Sequence, residues 1–422
     1  MTALLAPRPD RRLAPRPLPA HLSSAAVLWR SSRIALPFWK IASPPSNETG
    51  RRLRTLAAEI DAFGLSEVAA ALDAEIARRA TAYIDGLEAY RRHPYRRAAA
   101  EPPVIWRESA TRLLDYGGDA AAPAVFVVPS LINRYYVLDL LPERSFLRHL
   151  AGYGLRPLVV DWGSPGAAET GRDVGGYVQR LDRAFAFAAR SGTRPLAVVG
   201  YCMGGLLAMA LALRRQRQVA CLALLATPWD FHAERTMRAR LLRLLGDCLS
   251  ALDAAVVPVE VVQSLFFLLD PFLGQRKFVR FAALDPAAEE ARGFVALEDW
   301  INDGVPLPTA VARECLRAWY GDNAPGRGLW RVAGLTVRPQ LLRRPALVVI
   351  PGRDRIVPPA SAEPLATAIP NAEVLRPPLG HIGMMSAARA LEMLWTPLAQ
   401  WLRARLVRPS RGRRLDSSGA RS

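Results

Sequence analysis

The most constraining feature of this chain is the run Pro195-Leu-Ala-Val-Val-Gly200-Tyr-Cys202-Met-Gly204-Gly205-Leu-Leu-Ala-Met-Ala. It reads as an apolar strand, a turn bracketed by glycines and an apolar helix. A nucleophile at such a strand-to-helix elbow sits in a strained turn, so the residues two before and two after it must be small. Gly200 and Gly204 meet that need, and Gly205 lets the helix pack closely on the strand. The turn also sets Cys202 at a helix N-terminus, where the helix field favours a thiolate over a thiol. The competing reading is a structural cysteine buried in an apolar strand. A dinucleotide-binding glycine loop fits less well, because the spacing here is G-x-x-x-G-G and G-x-G-x-x-G is absent.

The surrounding pattern says what the elbow is embedded in. Short apolar runs at Val125–Pro129, Leu158–Asp161, Leu196–Gly200, Cys221–Ala226, Ala346–Pro351 and Val374–Pro377 alternate with segments of helical period. Continuous apolar strands separated by helices predict an α/β architecture, a mainly parallel sheet with helices on both faces. One interval breaks the rhythm, with about 115 residues between the run ending near Thr227 and the one starting near Pro345. That is too long for a crossover, and 235–252, 258–268 and 308–319 carry helical pattern. The expected organisation is a core of 103–228 and 340–402 with a helical cap inserted at 229–339.

Two downstream residues complete a catalytic constellation. The apolar run 346–351 leads into Gly352-Arg353-Asp354-Arg355-Ile356-Val357-Pro358, which sets Asp354 in the loop after a strand. The last run leads through Pro377-Pro378-Leu379-Gly380 to His381, one of five histidines. Nucleophile, acid and histidine in that chain order, each in the correct loop, are the arrangement of an α/β-hydrolase fold. The expected oxyanion donors are the N–H of Met203 and that of Leu131 or Ile132.

The ends of the chain differ from its body. The net charge of +18 is concentrated there. Residues 1–54 hold nine Arg and one Lys against Asp10 and Glu48, and 403–422 hold seven Arg against Asp416. Only Lys40 and Lys277 are lysines, a bias that reads first as codon composition, with polyphosphate, nucleic acid or lipid as alternative partners for the tails. The body is nearly neutral, so the core is not expected to bind nucleic acid. Residues 1–46 and the tail 403–422 are expected to be disordered. Segment 47–102 is expected to hold a helical hairpin over 47–92, with Asn47 capping its first helix, Gly64 breaking it and Ser66 opening the second. Cys202, Cys221, Cys248 and Cys315 show neither a C-x-x-C pair nor metal-ligand spacing, so neither a disulfide framework nor a metal site is expected. The apolar stretch Ala255–Leu273 is broken by Pro258, Glu260, Asp270 and Pro271, a poor transmembrane candidate. With no apolar leader at the start, a cytoplasmic location is expected.

With these residues in view, the chain resembles the polyhydroxyalkanoate synthase family, in which a G-x-C-x-G box replaces the serine elbow of lipases. Leu131-Ile132-Asn133-Arg134-Tyr135-Tyr136-Val137-Leu138-Asp139-Leu140, Asp161-Trp162-Gly163-Ser164-Pro165 and Thr227-Pro228-Trp229-Asp230-Phe231 are similar to family segments. So are Arg355-Ile356-Val357-Pro358 after Asp354, and Gly380-His381-Ile382-Gly383. The likeness runs over roughly 103–402 and excludes the first hundred residues. It implies an acyltransferase without cofactor. Cys202 would take a 3-hydroxyacyl group from a CoA thioester, His381 and Asp354 would manage its proton, and a growing polyester would accept the acyl group. The implied partners are 3-hydroxyacyl-CoA, the polyester, a granule surface, and a second copy or second synthase subunit. A hydrolase using the same residues, either an intracellular depolymerase or a thioesterase, is the alternative; a non-catalytic granule- or nucleoid-binding relative is a third reading. The cap residues Val261, Leu265, Phe266, Phe267, Leu268 and Phe272 would keep the pocket dry or form cap core. Asn133 and Asp161 are candidates for touching substrate or for loop structure, and Trp229, His232 and Trp300 for hinge or cap positions.

Overall fold

The computed structural model describes residues 12, 15–38, 46–98, 100–117, 119–191, 195–233, 254–268 and 270–407. The chain divides into two compact units, Met1–Ala99 with Pro258–Pro306 and Ala100–Val257 with Leu307–Ser422. Among the described residues no helix is long and apolar enough to cross a membrane.

The first unit is helical. Helix α1 spans Leu18–Ala35, α2 Glu48–Phe63 and α3 Leu65–Arg92. Asn47 caps α2 by accepting the N–H of Gly50 at 3.1 Å, and Gly64, at φ +89°, is the break between α2 and α3. That leaves Ser66 inside the second helix, where the sequence suggested an opening cap. The expectation of an unstructured 1–46 does not hold for Leu18–Phe38, which are helical. Leu18, Leu22, Ala25 and Trp29 recur at helical spacing and pack with Tyr83, Leu87 and Tyr90, an apolar stripe that the dense prolines and arginines obscure.

The cap boundaries also need correction. Of the expected insertion, the helices Val259–Phe267, Leu273–Ala282 and Glu289–Asn302 pack with the N-terminal helices, whereas 307–339 belong to the other unit. The cause is an aromatic core. Phe278 meets Tyr90 and Phe294 with ring centroids at 5.6 and 5.5 Å, and Phe281 stacks on Phe294 at 4.4 Å. Tyr90 Oη donates to Asp299 at 2.7 Å, and Gly86 admits the backbone of Phe278 where a Cβ would collide with its carbonyl. The suggested drying residues fall in this unit as well, and Leu268 and Phe272 among them are exposed. The expected disordered tail 403–422 begins too early, since the helix Thr396–Leu406 takes in its first residues; the rest of it beyond Val407, the helical pattern at 235–252 and Cys248 lie outside the described residues.

The second unit is built on an eight-stranded sheet. Its strands are β1 (Val104–Glu108), β2 (Thr111–Asp115), β3 (Ala124–Val128), β4 (Arg156–Asp161), β5 (Leu196–Tyr201), β6 (Val219–Leu225), β7 (Ala346–Val349) and β8 (Glu373–Leu375). In space the order is β1-β2-β4-β3-β5-β6-β7-β8. The pairs β1–β2 and β2–β4 are antiparallel, and every other pair is parallel. Every residue of β3, β4, β5 and β7 is buried, which requires cover on both faces. Helices α4 (Phe146–Gly152), α5 (Val174–Arg190) and α6 (Met203–Arg214) lie in the crossovers, with Pro359–Ala368 and Thr396–Leu406 further on. This is the fold class read from the alternation of apolar runs. Because β3, β5, β7 and β8 run parallel, the loops that leave them gather at one edge of the sheet.

Candidate active site

Strand β5 delivers Cys202 to that edge. The residue occupies φ +55°, ψ −128°, a strained conformation costing about 1–3 kcal/mol. The turn is held by the N–H of Cys202 donating to Leu225 and that of Gly205 donating to Cys202, both at 2.9 Å. The glycines are required by contact. A Cβ on Gly200 would lie 2.6 Å from Gly205 Cα, one on Gly204 would strike the carbonyls of Val128 and Pro129, and one on Gly205 the side chain of Thr227. Cys202 is partly exposed, whereas Cys221 and Cys315 are buried. Burial pushes the Cys221 thiol up to about 12 and raises Cys315 well above its ordinary value. The three cysteines thus divide into two inert core thiols and one accessible sulfur.

Strand β7 lies one strand beyond β6, with Val349 paired to Leu225 of β6 and to Leu375 of β8. The acid and histidine loops are laced together, Gly352 N–H donating to Pro377 at 2.9 Å and Arg353 N–H to Leu379 at 3.0 Å. Asp354 Oδ1 accepts the N–H groups of Ile356 and Val357, each at 2.8 Å, which leaves Oδ2 to face His381 Nδ1 at 2.7 Å. Both side chains are buried. Burial alone would depress the imidazolium, but the charges of Cys202 and Asp354 and the hydrogen bond to Asp354 outweigh it and push His381 up to about 10.

Tyr201 escaped the sequence reading. Its ring stacks on His381 with centroids 5.4 Å apart, and its hydroxyl donates to the His381 carbonyl at 3.0 Å. The available signal was its place beside the nucleophile in the elbow. The oxyanion candidates lie just past the end of β3 and at the start of α6. Met203 opens α6, where no intrahelical acceptor exists for its N–H. Ile132 N–H is turned to Ser130 Oγ at 3.5 Å, which favours Leu131 as the second donor.

The remaining candidates separate by what they touch. Asp161 ends β4 with its carboxylate engaged within the fold: Arg112 pairs with it at 2.7 Å and Gly163 N–H donates to it at 3.1 Å. Trp229 is buried, with its N–H on Ser361 at 3.1 Å. His232 faces the Tyr320 carbonyl at 2.9 Å. Trp300 is buried in the first unit. Asn133 keeps a buried, unpaired Oδ1.

Fold and site together define a class. The α/β hydrolase fold model matches residues 123–388, and the chain belongs to that family. Within it, the chain is similar to the poly(3-hydroxyalkanoate) polymerase subunit PhaC of Haloferax mediterranei, 28% identical over 72% of this chain and 63% of that protein. It is likewise similar to the protein of that name from Allochromatium vinosum, 24% identical over 72% of this chain and 88% of that one. The chain therefore spans less than two thirds of the Haloferax relative's length. Among solved structures it is similar to an esterase from Exiguobacterium antarcticum, with TM-score 0.45 and 13% identity over 72% of this chain and 100% of that one.

Proposed function

We propose that this chain is an acyltransferase that draws 3-hydroxyacyl groups from coenzyme A thioesters, carries them on Cys202 and adds them to a growing polyester. The observation that carries this reading is a partly exposed cysteine at the elbow, electrostatically coupled to a buried His381 whose Nδ1 is held 2.7 Å from Asp354. Similarity to the polymerase subunits supports the choice of substrate.

The steps follow from the geometry. Cys202 gives its proton to His381, and the thiolate attacks the thioester carbonyl. Asp354 holds Nδ1–H, so Nε2 faces the sulfur and the charged ring has a counter-ion. Met203 and Leu131 N–H groups receive the oxyanion. The tetrahedral intermediate collapses with cleavage of the bond to the coenzyme A sulfur, and His381 returns its proton to that leaving thiolate. Acylation then removes the Cys202 charge that had helped keep His381 protonated, while burial of the ring is unchanged. His381 is thereby left neutral and basic for the second half-reaction, in which it takes the proton of an incoming 3-hydroxyl. That oxygen attacks the acyl-cysteine, forms the ester and releases the Cys202 thiol. On this reading the enzyme works in the cytoplasm at the surface of its polymer.

Incubation of the purified chain with 3-hydroxybutyryl-CoA, following coenzyme A release and product size together, tests the reading. Release coupled to oligomer or polymer is expected. Stoichiometric free acid with no chain growth would instead identify a hydrolase built on the same three residues.

A further inference from the structure

The loop that follows β3 is fixed against the elbow. Val128 pairs with Gly200, and Gly204 closes on the carbonyls of Val128 and Pro129. On its other side Trp162 Nε1 donates to Pro129 at 3.2 Å, and Arg134 reaches Ser164 at 2.9 Å. The loop is thus clamped between the Cys202 turn and the loop leaving β4. Within it Asn133 Oδ1 is buried and accepts no hydrogen bond. Among the described residues the other buried side-chain oxygens in that condition, Tyr83 Oη and Thr227 Oγ1, are hydroxyls that carry their own proton. An amide oxygen can only accept, and a buried acceptor is stable only where a donor reaches it. The acyl group proposed for Cys202 carries one such donor, on the carbon two beyond the thioester carbonyl.

We infer that Asn133 determines specificity for the 3-hydroxyl, its Oδ1 accepting that O–H while the acyl group passes to Cys202. A thioester without the hydroxyl leaves the amide oxygen buried and unmet, so it is discriminated against without any steric block. The inference rests on the acyltransferase reading above and adds to it the residue that selects a hydroxyacyl over a plain acyl substrate.

The test compares single-turnover coenzyme A release from 3-hydroxybutyryl-CoA and from butyryl-CoA, in the wild-type chain, Asn133→Ala and Asn133→Asp, with folding followed by circular dichroism. The wild type is expected to prefer the hydroxylated substrate by about tenfold, one hydrogen bond's worth. Asn133→Ala is expected to bring the ratio of the two rates close to one, and Asn133→Asp, which keeps an acceptor of the same shape, to retain the preference. A ratio unaltered in folded Asn133→Ala overturns the inference and leaves the acyltransferase reading standing. Should Asn133→Ala fail to fold, loss of the preference in folded Asn133→Asp overturns it equally. A wild-type chain that releases coenzyme A from neither substrate overturns both.

Discussion

Tyr201 lies stacked on His381, ring centroids 5.4 Å apart and planes 30° from parallel, while its hydroxyl holds the carbonyl of the same residue at 3.0 Å. One tyrosine therefore fixes both the backbone and the ring of the histidine that the mechanism moves protons through. Tyr201→Phe keeps the stack and loses the hydrogen bond. Its kcat is expected to fall by about three- to tenfold with little change in KM, the loss of one buried hydrogen bond expressed in positioning. Tyr201→Leu also removes the aromatic face that favours a charged ring, and is expected to shift the His381-dependent limb of the pH–rate profile downward. A profile identical to wild type in both variants would assign Tyr201 to the core alone.

Replacing Cys202 by Ala is expected to abolish coenzyme A release from any acyl thioester, with the circular dichroism spectrum unchanged. Asp354→Asn keeps the shape but supplies the wrong hydrogen-bonding partner to Nδ1, and a loss of about ten-thousandfold in kcat is expected. Mass spectrometry of the quenched reaction should find the acyl adduct on Cys202 and on neither Cys221 nor Cys315, which are buried. An adduct elsewhere would remove Cys202 from the mechanism.

The raised His381 also sets a pH dependence of stability. Its folded value of about 10 lies above the ordinary 6.5, so the folded state binds this proton more tightly than the unfolded state does. The resulting stabilisation is complete below pH 6.5 and is lost as pH rises through 10. The thermal midpoint of the wild type should fall across that interval more steeply than that of His381→Gln. Parallel slopes would mean that the ion pair is not formed in the free protein.

Close approach at the elbow predicts a steric penalty. Gly204→Ala drives a methyl group into the carbonyls of Val128 and Pro129, and Gly205→Ala drives one into Thr227. Each should cost about 1–3 kcal/mol in denaturant unfolding and displace Cys202 enough to depress activity. Gly171, where an added methyl group would meet nothing within 4 Å, is the matched control and should tolerate Ala.

In the first unit, Phe278 is completely buried among Tyr83, Tyr90 and Phe294. Phe278→Ala should destabilise that unit by about 3–5 kcal/mol, seen as early protease cleavage within α3 and within 273–302. Cleavage confined to the C-terminal tail would contradict the shared core.

The features legible in the chain alone are those written in local order. Strand, tight turn and helix around Cys202, and the loops that carry Asp354 and His381, each follow from a few consecutive residues: apolar runs, small residues where backbones meet, and polar residues just past a strand end. The sheet follows from the same runs because strands buried on both faces have no polar alternation to hide them. Contacts between residues far apart in the chain were settled only by packing. Tyr90 and Asp299 are 209 positions apart, and nothing in the spacing of either helix says that 258–306 completes the N-terminal unit. The stack of Tyr201 on His381 and the unmet oxygen of Asn133 are of the same kind. Both depend on which loops the strand order β3-β5-β6-β7-β8 brings to one edge, and that order is a property of the packed sheet, not of any window of sequence.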